Sequence, residues 1–323
     1  MSTASAQPAP HRRLDLDRVR GIGILIPFVA LFVTLTLSSS PFLTKVNLLD
    51  ILDQQSATLI VAAAGTLVLV AGGIDLSVGA VYSLAAVTSA EVAQHHNAWL
   101  AIFLGIGAAV LVGVVNGLVI TLLRINSLIA TLAMSFVISG LASRITKGNL
   151  LVLFDKPAFG ELARTEWFTV KTSIWLMIGA VIVLTIILAR TTTGRYMYAA
   201  GGNAEAARLA GIRVDAVRVL TFALSGAAAG LAGVIDASRV LSASASAEDT
   251  TLAFTVLAGI VVGGTSILGG DGAVWRSVVG VLFIALIGNG YILLGLDPLY
   301  EQITMGLILL GAVALDSWTR RRT

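Results

Sequence analysis

The chain has 323 residues, 57% hydrophobic and 12% charged, with a net charge of +3 and a mean hydropathy of +0.93. A charged share about half the roughly 25% of soluble domains excludes a soluble globular protein and leaves an integral membrane protein. Absent cysteine excludes disulfides, thiol nucleophiles and cysteine metal sites, and basic residues gathered at the ends of apolar runs, with no basic face interleaved with aromatics, argue against nucleic acid.

Apolar runs near the roughly 20 residues of a membrane-spanning helix recur through 21–318, leaving no stretch for a separate soluble domain. The expected organisation is a cytoplasmic tail (1–20), one membrane domain (21–318) and a second cytoplasmic tail (319–323). Arg12, Arg13, Arg18 and Arg20 precede the first run, 22–37, and hold the N-terminus in the cytoplasm. A cleavable signal peptide competes for this start, but Ser38, Ser39 and Ser40 followed by Pro41 make a poor cleavage site. Residues 41–53 then read as an external loop.

The run 55–71 ends in Gly72-Gly73-Ile74-Asp75-Leu76-Ser77-Val78-Gly79, after which another reaches residue 93. Paired glycines stop one helix, and Asp75 or Ser77 can cap the next. Backbone broken near the membrane must be buried in protein or line a wet cavity, so Asp75 is either a functional carboxylate or a plain cap. His95, His96 and Asn97 read as a solvated turn rather than a metal site. In the run 99–123, Gly113 and Gly117 suit close helix packing, while Asn116 between them bonds either a solute or a neighbouring helix.

Arg124 marks a cytoplasmic end; Asn126 and Ser127 are capping candidates for the span 128–142. The polar break 146–171 has mixed charge and fits the outer face, and 175–189 spans back. The segment 190–218 is cationic, with Arg190, Arg195, Arg208, Arg213 and Arg218, and within it Glu205, Ala206 and Ala207 are followed by Gly211. Gly226, Gly230 and Gly233 form a packing stripe in the span 217–236, and 239–250 reads as a small loop containing Glu248 and Asp249. The short run 252–262 breaks at Gly263 and Gly264, with Gly269, Gly270 and Gly272 following. This second break lacks the Gly-Lys pair of a phosphate-binding loop, which rules out that nucleotide motif. Spans 274–294 and 303–315 finish the membrane part, with Asn289 and Gln302 as isolated polar residues, and Trp318 precedes Arg320, Arg321 and Arg322, again on the cytoplasmic side.

The expected fold is therefore all-α, a polytopic transmembrane helical bundle of about ten spans, counting short or broken helices, with both termini cytoplasmic. The spans offer few ionisable groups beyond Asp75, with Asp236 near one span end, and no H-E-x-x-H or G-x-S-x-G motif, so nothing points to an enzyme. A secondary carrier driven by an ion gradient remains the alternative from another class; few intramembrane charges weigh against it.

GGIDLSVGA, GRYMYAAGGNAEAARLAGI, LSGAAAGLAG, GGTSILGGDGAV and LILLGAVALD occur in this order between residues 72 and 316. In these motifs the chain resembles the membrane permease of bacterial ATP-binding-cassette importers of the ribose and simple-sugar class. The resemblance implies a multi-pass permease in the bacterial inner membrane, paired with a second permease copy and with cytoplasmic ATPases that bind ATP and magnesium. It further implies a periplasmic or lipid-anchored sugar-binding protein outside, and no cofactor on this chain. It also assigns Glu205, Ala206, Ala207 and Gly211 to the loop that docks on the ATPase, with Asn203 placed to cap the helix and Arg208 on its surface. Asp75, Ser77, Asn116 and Asn289 are candidates for path-facing or gate-supporting residues, and the glycines of the two breaks (Gly72, Gly73, Gly79, Gly263, Gly264, Gly269, Gly270) are expected to shape them. Permeases for branched-chain amino acids or nucleosides share this glycine-rich style.

Overall fold

The computed structural model describes residues 23–245, 251–297 and 299–320. The expectations placed on residues 1–20, on Glu248 and Asp249, and on Arg321 and Arg322 lie outside these residues, as do the side chains of Gln302 and Trp318.

Fourteen described helices follow in order: α1 (Leu25–Ser38), α2 (Lys45–Gln54), α3 (Ser56–Val70), α4 (Val78–His95), α5 (Ala98–Leu123), α6 (Ser127–Thr146), α7 (Pro157–Arg164), α8 (Thr172–Arg190), α9 (Thr192–Gly202), α10 (Ala204–Leu209), α11 (Val214–Val240), α12 (Thr251–Val262), α13 (Val274–Leu293) and α14 (Leu299–Arg320). Two short antiparallel ladders complete the described structure: β1 (Leu151–Val152) with β4 (Ser242–Ala243), and β2 (Glu166–Trp167) with β3 (Val170–Lys171). Five helices, α5, α6, α8, α11 and α13, are long and apolar enough to cross a membrane, and α2 with α3, bent by 51°, makes a sixth. Helices α1 and α12 are apolar but shorter. The architecture is a polytopic helical bundle.

Helix α3 lies at its centre. Buried residues cover it on nearly every side, and it touches α8, α9, α11, α12 and α13, the pattern of a helix with no face left for solvent. Helix α11 is the most enclosed of the long spans, 61% buried in its apolar window against 28% for α5, α6 and α8. Its glycine stripe explains how. A Cβ on Gly226 would lie 2.4 Å from the Ala109 carbonyl oxygen of α5, one on Gly113 would lie 2.4 Å from the Phe222 carbonyl oxygen, and one on Gly233 would lie 2.2 Å from the Tyr82 carbonyl oxygen of α4. In a bilayer, where lipid is as apolar as leucine, such backbone contact is a main source of helix association.

Two expectations need correction, and the polar break gains detail. Residues 41–53 are not a loop: Thr44 accepts the Asn47 amide and caps α2, which turns at Gln55 into α3. Two of the polar side chains that lowered its hydropathy, Asn47 and Asp53, have partners inside the protein. Buried Asp53 takes the Lys171 ammonium at 2.7 Å and the Ser173 hydroxyl, and Arg239 donates to its carbonyl oxygen. The break 146–171 is structured, carrying β1, α7 and the β2–β3 hairpin, whose turn places Phe168 and Thr169 at positive φ as a mirror-image hairpin turn requires. Nor is 239–250 simply a loop, since Arg239 and Val240 end α11 and Ser242–Ala243 pairs with β1. Arg239 and Asp236 stay helical because each has the other as an ion-pair partner, and Asp236 also accepts the Tyr82 hydroxyl.

Asp53→Ala is expected to destabilise the purified protein by about 2 kcal/mol, less than for a fully buried pair because Lys171 is partly in water. Exposed Asp50→Ala is expected to be near neutral. Thermal unfolding of both variants checks this; equal midpoints would contradict it.

Candidate functional site

The cationic segment folds as two successive helices. The Thr191 hydroxyl accepts the Gly194 amide and starts α9, which runs to Gly202. Asn203 is extended and its side-chain oxygen accepts the Glu205 and Ala206 amides at 3.1 and 2.9 Å, so α10 begins at Ala204 as expected. Its end follows the sequence reading too. Gly211 has φ +84°, and the Ile212 amide reaches back to the Ala207 carbonyl at 3.0 Å, a left-handed glycine cap. Ala207 is buried beneath the helix, whereas Glu205, Ala206, Arg208 and Leu209 face outward. Two features escaped the sequence reading: Leu209, an apolar side chain 87% exposed at the tip, and the ion pair of Arg208 with Asp215 at 2.9 Å, which ties α10 to the start of α11.

The last turn of α9 sits on both glycine breaks. A Cβ on Gly201 would lie 1.9 Å from the Val70 carbonyl oxygen, just before the first break, and 2.8 Å from the Gly270 nitrogen in the second. Gly269 and Gly270 have φ of +89° and +75°; a Cβ on Gly269 would lie 2.9 Å from Gly72 Cα, and one on Gly270 2.8 Å from Gly202 Cα. The Gly270 amide donates to the Val70 carbonyl at 3.0 Å, joining the breaks directly. Sequence reading found the two breaks separately. It missed that Gly201 and Gly202 join them.

Side chains fasten the second break. The Tyr198 hydroxyl of α9 donates to the Gly272 carbonyl at 2.7 Å, and Arg276 donates to Asp271 at 2.8 Å and to the Gly264 carbonyl at 3.4 Å. Burial pushes the Tyr198 phenol above its ordinary pKa, partly opposed by the Arg276 guanidinium, so it remains a donor. Gly264 takes φ +86°, and Gly263 lies so close to α13 that a Cβ would meet the Arg276 carbonyl oxygen at 2.3 Å.

The first break holds a polar cluster. One Asp75 oxygen accepts the Ser77 amide at 3.0 Å and the Ser77 hydroxyl at 2.6 Å; the other accepts the Ser225 hydroxyl of α11 at 2.8 Å. Ser77 in turn accepts the Asn116 amide of α5 at 2.8 Å. Ser77 is therefore no cap: its hydroxyl is drawn to the carboxylate, the stronger acceptor. Helix α6 holds the main chain of the break, as Ser127 and Thr131 accept the Ile74 and Leu76 amides at 3.0 Å each. Asn126, not Ser127, caps α6, accepting the Leu128 amide. Gly79 is buried in the first turn of α4.

Asp75, Ser77 and Asn116 are thus brought together, and Asn289 is not among them. It exchanges hydrogen bonds of 2.8 and 3.2 Å with Asn47 of α2. Asn47 also donates to the Phe42 carbonyl, so the pair fastens α13 to the entry of α2.

Residues 47–313 match the family described as branched-chain amino acid transport system, permease component, and the chain belongs to that family. It is 34% identical to the L-arabinose transport system permease protein of Escherichia coli over 99% of this chain and 97% of that protein. It is 36% identical to the ribose import permease protein of Bacillus subtilis, over 95% and 96%. Identity to the L-arabinose ABC transporter permease protein of Azospirillum brasilense is 34%, over 100% and 97%. No solved structure gives a significant match.

Gly201→Ala is expected to displace the breaks and destabilise the protein by about 1–3 kcal/mol, whereas Gly202→Ala, with open space beyond it, should cost well under that. Comparing the two in thermal unfolding tests the junction, and equal losses would refute it.

Proposed function

We propose that this family member is the permease subunit of an ATP-binding-cassette importer carrying a monosaccharide of the ribose and arabinose kind. One observation carries the coupling part of this reading: the exposed, capped helix α10 follows directly from an α9 whose glycine end touches both broken segments. A push on α10 therefore reaches both breaks through backbone contact. The sugar part is supported by relatives named for ribose and arabinose transport that align over nearly the whole chain.

The partners follow from the same reading. A cytoplasmic ATPase binds and hydrolyses ATP with magnesium; this chain is not itself an enzyme and carries no cofactor. Glu205, Ala206, Ala207 and Arg208 meet the ATPase, Asn203 and Gly211 fix the helix, and exposed Leu209 adds an apolar contact. A second permease copy completes the path, and a periplasmic or lipid-anchored binding protein delivers the sugar. Placing both breaks and α10 on the inner side of the bacterial inner membrane fits about ten alternating crossings with both termini cytoplasmic. Nucleotide-driven closure of the ATPases moves α10 and α9, and the breaks shift so that the path opens to one face at a time. Asp75, Ser77 and Asn116 form the polar cluster nearest that motion and are the path or gate residues; Asn289 serves instead to hold α2 against α13.

Glu205→Lys and Gly211→Asp are expected to leave the permease in the membrane but to lower ATP-driven uptake at least about tenfold. Since the space beyond Gly211 is open, its variant acts through the left-handed backbone and the added charge rather than a clash. Normal uptake of radiolabelled sugar by both variants, with ATPase and binding protein present, would sink the coupling assignment. Asp75→Ala is expected to impair uptake at normal protein level, and unchanged uptake removes Asp75 from the gate. Competition by ribose, arabinose or leucine against the uptake separates the sugar reading from the amino acid named in the family description.

A further inference from the structure

A cavity of about 390 Å³ lies beside α10, lined by Ile120, Thr121, Arg124 and Ile125 from the end of α5 and by Arg208, Asp215 and Arg218. Three arginines thus face one aspartate, which is already paired with Arg208. Arg218 is half-buried, its Nε has no hydrogen-bond partner, and its guanidinium reaches to within 3.9 Å of where a Cβ on Gly72 would stand. A buried cationic donor left unsatisfied is costly, so this guanidinium is suited to an anion that brings acceptor oxygens. Leu122, 74% exposed, continues a row with Leu118, Val115 and Leu111 on the outer side of α5, which helical spacing turns away from the cavity-lining Ile120.

We propose that this cavity seats the phosphodiester headgroup of an anionic phospholipid, with Arg124 and Arg218 on the phosphate oxygens and the acyl chains lying along the exposed leucines. Charge complementarity selects the headgroup. That outer row meets the bilayer within one helix width of the cavity, and this nearness of lipid favours a phospholipid over the acidic side chain of a protein partner. Arg208 lines the same cavity from α10, so an occupied site ties the end of α5 to α10. The inference goes beyond the transport reading and does not depend on which solute is carried.

The test uses the full chain, purified in detergent and mixed with micelles containing either phosphatidylglycerol or phosphatidylcholine, with bound lipid read by native mass spectrometry. Wild type is expected to retain phosphatidylglycerol preferentially. Arg124→Gln should weaken that retention about fivefold, and Arg124→Gln combined with Arg218→Gln about thirtyfold. The single variant alters an exposed side chain and keeps the test valid if the double variant does not fold. Equal retention of the two lipids, or equal retention by wild type and Arg124→Gln, would overturn the proposal. Two other outcomes would also overturn it. Thermal stabilisation by inorganic phosphate alone, without phosphatidylglycerol preference, would assign the cavity to a free anion. An Arg124→Gln chain that keeps its phosphatidylglycerol but no longer co-purifies with the ATPase would assign the arginine to that partner.

Discussion

Main chain meets main chain at the end of α9, with no room for a side chain between. The carbonyl of Val70 and the amide of Gly270 crowd Gly201, the Cα of Gly72 crowds Gly269 and that of Gly202 crowds Gly270, and the Gly270 to Val70 hydrogen bond closes the group. This one contact sets the ends of α3 and α9 and the entry to α13, hence the central helix, the segment that presents α10 and the last part of the bundle. Because packed backbones deform little, the three move together or the contact breaks.

A bundle can carry broken helices only if the freed amides and carbonyls find partners, since lipid offers none. Each break solves this differently. The first uses hydroxyls from a neighbouring helix, Ser127 and Thr131, on its amides, while its own carboxylate gathers Ser77 and Ser225. The second uses longer reaches, Tyr198 onto one carbonyl and Arg276 onto another. Short hydroxyls hold their segment tightly to the core. Phenol and guanidinium tether theirs from further away, and the Gly270 to Val70 hydrogen bond ties it to the first.

What could be read from the sequence was local. The cap at Asn203, the stop at Gly211 and the break after Gly72 each depend on the backbone preferences of one or two residues, and each stands where those preferences put it. Helix α2 was missed because hydropathy counts Asn47, Asp50 and Asp53 as polar without knowing that Asn289 and Lys171 await two of them far along the chain. Helix α11 was cut short for the same reason, as its terminal charges pair with each other. The meeting of Gly201 with both breaks left no trace in any window of neighbouring residues, and the grouping of Asn116 with Asp75 but not Asn289 was equally invisible. Pairings across such separations are fixed by packing rather than by local propensity.

Helix α11 begins where Arg208 of α10 grips Asp215 and ends where Arg239 grips Asp236 and the Asp53 carbonyl. Its 27 residues make a rod about 40 Å long, packed against α5 along a seam of glycines in backbone contact. A tilt of about 5° about one end would carry the other about 3.5 Å at that length, further than a hydrogen bond survives. The rod is a lever. The latch at its far end and the handle at its near end cannot both stay closed while it swings.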